Sequence, residues 1–377
     1  MEKIRFGTTL YTGENSLKRL EEFENERVLI ITDQFIAQSE ILETVMNHFS
    51  SSVETMLFSE VVPDPPIDTI VSGLEKTKQY HPTMLLALGG GSAIDAAKAI
   101  LYFGLQSKIF KKMPFIVIPT TSGTGSEVTN FSIITDAEKM VKYPLISDDI
   151  LPTEAILDVS VVMGLPPVQT ADTGIDVLTH ALEAYVSTEA NEMSDMLAEK
   201  AIVYVFDYLE RAYRDGEDKE AREKMHIASC MAGMAFNLVS LGINHGIAHA
   251  AGARFHIAHG RLNAILLPHV IRYNSGMTDH NSSTFNETAK KYTKIAKLLG
   301  LSAGSPRMGI RSLTNAITSL EKRMNMPTSF SAWGIDRATF EEHKLNISED
   351  ALKDRCTITN PIEPTVEEAL SILENAF

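Results

Sequence analysis

Met84-Leu85-Leu86-Ala87-Leu88 runs straight into Gly89-Gly90-Gly91-Ser92, and Ala93-Ile94-Asp95-Ala96-Ala97-Lys98-Ala99 follows with helical character. A short apolar run suits a strand buried on both faces. A glycine turn into a helix leaves free backbone N–H groups at the positive end of the helix dipole, an anion site most naturally fitted to a pyrophosphate. The same glycines also serve a plain tight strand-to-helix turn, and their spacing is neither G-x-G-x-x-G nor a Walker motif. Working outward, Arg27–Asp33 (RVLIITD) and Pro114–Pro119 (PFIVIP) are further buried-strand runs, Ala155–Asp158 (AILD) reads as the last strand, and Gln34–Phe49 and Pro66–Gln79 carry helical spacing. This alternation predicts an α/β doubly wound parallel sheet. After Pro166-Pro167 the chain turns to long stretches rich in Ala, Leu, Glu and Met, with almost no alternating runs. The expected organisation is an N-terminal α/β domain, residues 1–163, and a C-terminal all-helical domain, residues 164–377, meeting near 160–166.

Composition narrows the partners. With 34 basic and 49 acidic residues the net charge is −15, so phosphate polymers and anionic lipid are repelled. Nucleic acid and membrane are therefore excluded as expected partners. Cys230 and Cys356 are too few for a disulfide framework and are expected to pack as small apolar side chains in a reducing compartment. The start, MEKIRFGTTLYTG, has no apolar stretch of a secretory signal, and no apolar run approaches the roughly 18 residues of a spanning helix. A cytoplasmic protein is expected, with association with a bacterial microcompartment left open. The N-x-[ST] matches at Asn281, Asn286 and Asn346 are then chance.

Two further features carry chemistry. A second glycine-rich turn, Pro119-Thr120-Thr121-Ser122-Gly123-Thr124-Gly125-Ser126-Glu127, follows a strand's carboxyl end, where open α/β sheets bind ligands. Asp33 closes the first strand, either reading a ribose or capping the helix that starts at Gln34. In the helical half, Asp176 and His180 lie four apart, which puts them on one helix face, and His245 and His249 repeat the spacing. His256 and His259 complete a dense histidine window. One carboxylate with three imidazoles is an N/O donor set suited to Fe(II) or Zn(II). HxxxH here lacks the glutamate of the metalloprotease motif. His48, His81, His226, His280 and His343 read as surface or capping residues, and His269 as a packing residue.

GGGSAIDAAKA, IPTTSGTGSEVTNFSIITD, TGIDVLTHALEAYVS and NHGIAHAAGARFHIAHGRLNAILLPHVIRYN, in this order and spacing, resemble the iron-containing, or type III, alcohol dehydrogenases. The resemblance extends from Phe6–Tyr11 to Cys356–Pro361. It implies a dinucleotide domain facing a helical domain, with cofactor and metal in the cleft. By position it implies Asp176, His180, His245 and His259 as metal ligands and His249 as a histidine near the nicotinamide that handles protons. It also implies Gly89, Gly90, Gly91, Ser92 and Asp95 as the pyrophosphate turn, Thr120, Thr121 and Ser126 as the second cofactor loop, and Asp33 as the residue favouring NAD over NADP. Pro63-Asp64-Pro65-Pro66 departs from the family's adenine-side P-N-P-T, and His256 is an additional histidine beside His259. The implied activity is NAD(H)-linked, metal-dependent interconversion of a small primary alcohol and its aldehyde, with Fe(2+) ahead of Zn(2+) and a homodimer or higher homo-oligomer expected. The short-chain or 1-propanol dehydrogenases are the nearest subgroup. The alternative is a metal- and NAD-dependent lyase or cyclase like dehydroquinate synthase. That chemistry needs a basic pocket, and Arg254 and Arg261 are the basic residues in the histidine window.

Overall fold

The computed structural model describes residues 4–136, 141–277 and 285–377, so His280 and the match at Asn281 lie outside the described residues. The chain separates into two compact units, Met1–Gly164 and Leu165–Phe377.

In the first unit the elements run β1 (Thr9–Thr12), β2 (Arg27–Asp33), α1 (Gln34–Ala37), α2 (Glu40–Asn47), β3 (Glu54–Val61), α3 (Ile67–Tyr80), β4 (Met84–Gly89), α4 (Gly91–Gln106), β5 (Phe115–Pro119), β6 (Phe131–Asp136), β7 (Val141–Ile146) and β8 (Glu154–Leu157). Six strands form one sheet in the order β1-β8-β5-β4-β2-β3, every pair parallel, while β6 and β7 form an antiparallel pair. The apolar runs are central for a physical reason. Every residue of β4 and β5 is buried, and each fully buried Val, Leu, Ile or Phe contributes about 1.5–3 kcal/mol. The chain goes from β2 out to β3, then returns to the other side of β2 for β4, so the strand order reverses between β2 and β4. Ligands in such sheets bind at the carboxyl ends of strands beside that reversal, where Asp33 and Gly89 sit.

The single helix expected over Gln34–Phe49 is two. Ser39 is extended (φ −98°, ψ 160°) and starts α2, with Glu40 and Glu43 complementing the helix N-terminus. The strand β3 was not anticipated: as a sheet edge it keeps Glu54, Leu57 and Glu60 exposed, which dilutes its apolar pattern.

The second unit contains α5 (Pro167–Val186), α6 (Glu192–Arg214), α7 (Lys219–Val239), α8 (Ile243–Phe255), α9 (His259–Asn274), α10 (Glu287–Leu298), α11 (Pro306–Arg323), α12 (Phe330–Trp333), α13 (Arg337–Lys353) and α14 (Val366–Ala376). No strand occurs among its described residues. The helix α5 is buried along nearly all its length and packs on α6, α7 and α9. Close approach is built into the sequence at Gly260, where a Cβ would lie 2.1 Å from the Asp172 carbonyl oxygen, so the start of α9 rests directly on the backbone of α5. No single described helix is long and apolar enough to cross a membrane.

Candidate cofactor and metal sites

Gly89 ends β4 with φ +153°, and a Cβ there would meet that of Ala93 at 2.7 Å. Gly90 caps α4, and Gly91 and the half-buried Ser92 open its first turn. Side chains on Gly90 and Gly91 would strike Thr121 and Thr124 at 3.2 and 2.7 Å, so the first glycine turn and the second loop are packed with backbone against side chain. Thr120 is buried and Thr121 half-buried. Asp33 Oδ1 accepts the Ile36 N–H at 2.9 Å, which caps α1, while its Oδ2 would lie 3.6 Å from a Cβ at Gly89. Capping and a position beside the glycine turn thus coexist, one carboxylate oxygen for each.

Asp95 and Ser126 face each other. The Ser126 hydroxyl donates to Asp95 Oδ1 at 2.7 Å, and the Ile133 N–H donates to Oδ2 at 3.0 Å. The fully buried Lys98 donates to Ser126 Oγ, Thr129 Oγ1 and the Phe131 carbonyl at 2.8–2.9 Å. Burial lowers Lys98 to about 8 against the pull of Asp95 and Glu127, and burial pushes Glu127 up to about 7. These groups tie α4 to the second loop.

In the helical unit, Asp176, His180, His245 and His259 each offer one donor atom, and these atoms all lie within 4.8 Å of one another. Asp176 Oδ1 is 3.8 Å from His180 Nε2, 3.7 Å from His245 Nε2 and 3.6 Å from His259 Nε2. Two ligands bound tetrahedrally to one ion at about 2.1 Å are about 3.4 Å apart, so these spacings fit a shared cation. Asp176, His180 and His245 are buried, whereas the His259 side chain is 40% exposed and marks the open side. Burial opposes the Asp176 charge, but the surrounding imidazoles hold its carboxyl well below the usual range.

A polar frame surrounds these four. Glu183 Oε2 lies 2.5 Å from His245 Nδ1, and accepting that N–H turns the Nε2 lone pair toward the cluster. Burial opposes a charge on His245, yet Glu183 and Asp176 outweigh it, so this spot favours positive charge, which a bound cation can supply in place of a proton on Nε2. Glu183 Oε1 accepts the Asn244 N–H at 2.7 Å, the Asn244 amide donates to Asn263 Oδ1 at 2.8 Å, and Asn263 Nδ2 donates to Asp176 Oδ1 at 2.7 Å. Asn263 Nδ2 is also 3.2 Å from both His245 Nε2 and His259 Nε2. An N–H thus meets lone pairs that converge as they would on an electropositive centre, which is how the donor set fits a divalent ion. Sequence reasoning missed Glu183 and Asn263, although Glu183 continues the Asp176, His180 face by a further three residues and Asn263 follows His259 by four.

His249 is half-buried, stacks on His259 with ring centroids 5.2 Å apart, and pairs through Nδ1 with Asp354 Oδ2 at 2.8 Å. Burial opposes the Asp354 charge, but His249 and the Cys356 N–H bring it to about 2. The sulfur of Cys356 also lies near this pair, yet burial pushes the thiol well up, leaving it a packed apolar group; Cys230 is likewise buried. His256 is exposed in a left-handed turn (φ 51°) at the end of α8 and stands outside the cluster. Arg254 pairs with Asp350 at 2.5 Å and Arg261 with Asp172 at 2.8 Å, so both basic residues of the histidine window are neutralised. A carboxylate and phosphate substrate of the lyase kind finds no free cation at either.

Comparison with known proteins agrees with this donor chemistry. The model of iron-containing alcohol dehydrogenase matches residues 4–159, and that of the C-terminal part of the Fe-containing alcohol dehydrogenase family matches residues 170–377. The 1-propanol dehydrogenase PduQ of Salmonella typhimurium is 42% identical over 376 residues, spanning 99% of each chain. The NADPH-dependent butanol dehydrogenase of Clostridium saccharobutylicum is 38% identical over 393 residues, spanning 100% of this chain and 98% of its own. A crystal structure of 1,3-propanediol oxidoreductase superposes with a TM-score of 0.90 at 29% identity, covering 100% of both chains. With both halves matched by one family and full-length relatives above 30% identity, the chain belongs to the iron-containing alcohol dehydrogenases, metal-dependent, NAD-linked oxidoreductases of small alcohols and aldehydes.

Proposed function

We propose that Asp176, His180, His245 and His259 hold one divalent cation, iron(II) first and zinc(II) as the other ion these donors suit, in an enzyme reducing short-chain aldehydes and oxidising the matching primary alcohols. The observation that carries this is the convergence of the four donor atoms within 4.8 Å. When bound, such an ion supplies Lewis acidity to the substrate oxygen. Asp176 contributes the one negative charge among three neutral imidazoles, and Glu183, through His245 Nδ1, keeps that ring's Nε2 aimed inward. His249 is the proton-handling group: Asp354 fixes its Nδ1–H, leaving Nε2 as the atom that takes or gives the proton.

Residues 1–163 serve as the dinucleotide-binding domain and residues 164–377 as the metal-binding and catalytic domain. Gly89, Gly90, Gly91 and Ser92 present backbone N–H groups to the pyrophosphate, and Thr120 and Thr121 line the neighbouring loop. Asp95 and Ser126 act by bracing the two loops against each other. Asp33 receives the adenosine ribose hydroxyl and repels a 2′-phosphate. Small alcohols in the C2–C4 range are supported by the relative named a 1-propanol dehydrogenase. A cytoplasmic homodimer or higher homo-oligomer completes the reading, with a place in a bacterial microcompartment compatible with it.

The decisive experiment follows NADH consumption over a ladder of C2–C6 aldehydes after the metal-free protein is reconstituted separately with Fe(II) or Zn(II). Metal-dependent turnover that is greatest on the shortest aldehydes is expected. Equal rates with and without either metal overturn the metal assignment, and a preference for the longest aldehydes overturns the short-chain one.

A further inference from the structure

The first turn of α9 is held in an unusual way. Ala258 stands at its N-cap, where a Ser, Thr, Asp or Asn would accept a backbone N–H, and the turn contains no acidic residue. It carries Arg261 instead, a cation set against the positive end of the helix dipole. The same turn bears His259, which at 40% exposure is the least enclosed of the four donors. His245 is aimed by Glu183 on α5, whereas His259 is aimed by whatever fixes the start of its own helix.

Asp172 on α5 grips that start. Arg261 Nε donates to Asp172 Oδ1 at 3.0 Å, and Nη2 donates to Oδ1 at 2.8 Å and to Oδ2 at 3.0 Å. Two nitrogens meet both carboxylate oxygens, a fork that fixes direction as well as distance, which a point charge does not. The two side chains are only 12% and 13% exposed, so solvent ions screen the pair weakly. Trp333 lays its ring over the guanidinium, with Cζ 4.7 Å from the ring centroid. That tryptophan is itself placed by Phe330 at the start of α12, which is fully buried with its ring centroid 5.6 Å from Phe255 and 5.9 Å from Phe340. Asp172 lies four residues before Asp176, on the same face of α5. The clamp therefore ties the turn that carries His259 to the helix that carries Asp176 and His180.

We propose that Arg261 is a positioning residue for the metal site: gripped by Asp172 and covered by Trp333, it fixes the first turn of α9 and so the placement of His259 Nε2 opposite Asp176 Oδ1. This role presupposes that His259 is a ligand, as proposed above, and the test separates the two. Metal affinity is measured by competition with a chromophoric chelator, and the visible spectrum of the Co(II)-loaded protein reports the donor set, because a lost or displaced donor changes its intensity and shape. His259→Ala supplies the reference for a missing donor. Arg261→Met is expected to bind metal about 10- to 100-fold more weakly and to move the Co(II) spectrum toward that of His259→Ala. Arg261→Lys, which keeps the charge and loses the fork, should show a smaller loss in the same direction, and it decides the matter if far-UV circular dichroism shows that the methionine variant does not fold. Parental affinity in the folded Arg261 variants, or weaker binding with an unchanged Co(II) spectrum, overturns the positioning role while His259 stands as a ligand. Parental affinity and spectrum in His259→Ala itself overturn the ligand assignment and the positioning role with it.

Discussion

Gly260→Ala tests whether the close seating of α9 on α5 is what assembles the donor set. An ideal Cβ at this position lies 2.1 Å from the Asp172 carbonyl oxygen, 2.7 Å from its carbonyl carbon and 3.3 Å from Asp176 Cβ. Non-bonded carbon contacts settle at about 3.5–4.0 Å, so the first turn of α9 must retreat by at least about 1 Å. The obstacle is backbone inside a helix, with no rotamer to yield. His259 immediately precedes the altered residue and moves with it, whereas metal–ligand distances tolerate only about 0.2 Å. Overpacking of this kind costs about 1–3 kcal/mol, which a cooperative domain survives. The site is far less forgiving: metal affinity should fall 10- to 100-fold or more, and turnover by about 100-fold. The assay is metal per chain after dialysis, measured by mass spectrometry, beside melting temperature and NADH oxidation. Gly252→Ala is the control, because its Cβ would meet only the flexible end of Leu262 at 3.3 Å, and it should keep its metal. Full metal content and undiminished turnover in Gly260→Ala would refute the reasoning.

Asp176→Ala and His259→Ala should each lose metal and turnover together, while His249→Ala keeps its metal and loses rate; full metal content in both of the first two variants removes them as ligands. Asp33→Gly should relax discrimination against NADP, read as the ratio of kcat/KM with the two cofactors, and an unchanged ratio would show that another group reads the ribose. Glu321 is fully buried with neither oxygen hydrogen-bonded, and burial pushes its carboxyl up to about 8 against the weaker pull of Lys322. A raised carboxyl pKa destabilises the fold increasingly as pH rises from the unfolded value near 4.5 to about 8, reaching on the order of 3–4 kcal/mol by pH 7.5. Glu321→Gln should therefore melt higher than the parent by a margin that widens between pH 5.5 and pH 8; a constant margin falsifies the buried-acid explanation.

Much of the sheet is legible in the chain because fully buried parallel strands are continuous apolar runs. RVLIITD and MLLAL show this directly, and the glycine turn after MLLAL marks where a helix must start close to a strand. The edge strand β3 escapes the same reading, since one side faces solvent and tolerates Glu54, Ser59 and Glu60. The break at Ser39 is equally faint, a single capping residue within a helical spacing. Asp176, His180 and His245 announce themselves because charged and imidazole side chains are costly inside apolar helices. Glu183, Asn244 and Asn263 carry the same cost, but their value lies in hydrogen bonds between residues 61 and 87 apart in sequence, which no local spacing encodes. The pairing of His249 with Asp354 is hidden for the same reason.

The short turn around Cys356 has a further consequence for how the enzyme is made. Asp354 holds His249, the Thr359 hydroxyl donates to the Leu241 carbonyl at 2.7 Å, and Asn360 Oδ1 accepts the Ile243 N–H at 3.2 Å, partners separated by 105 to 118 residues. At a synthesis rate of about 5–20 residues per second, α8 leaves the ribosome some 5–20 s before the segment that anchors it. Asp176, His180, His245 and His259, the donors proposed above, all precede that segment in the chain. Because α8 carries both His245 and His249, the cluster around Asp176 takes its final form only once residues 354–360 have emerged and docked, so assembly of the proposed site is a late event in biogenesis.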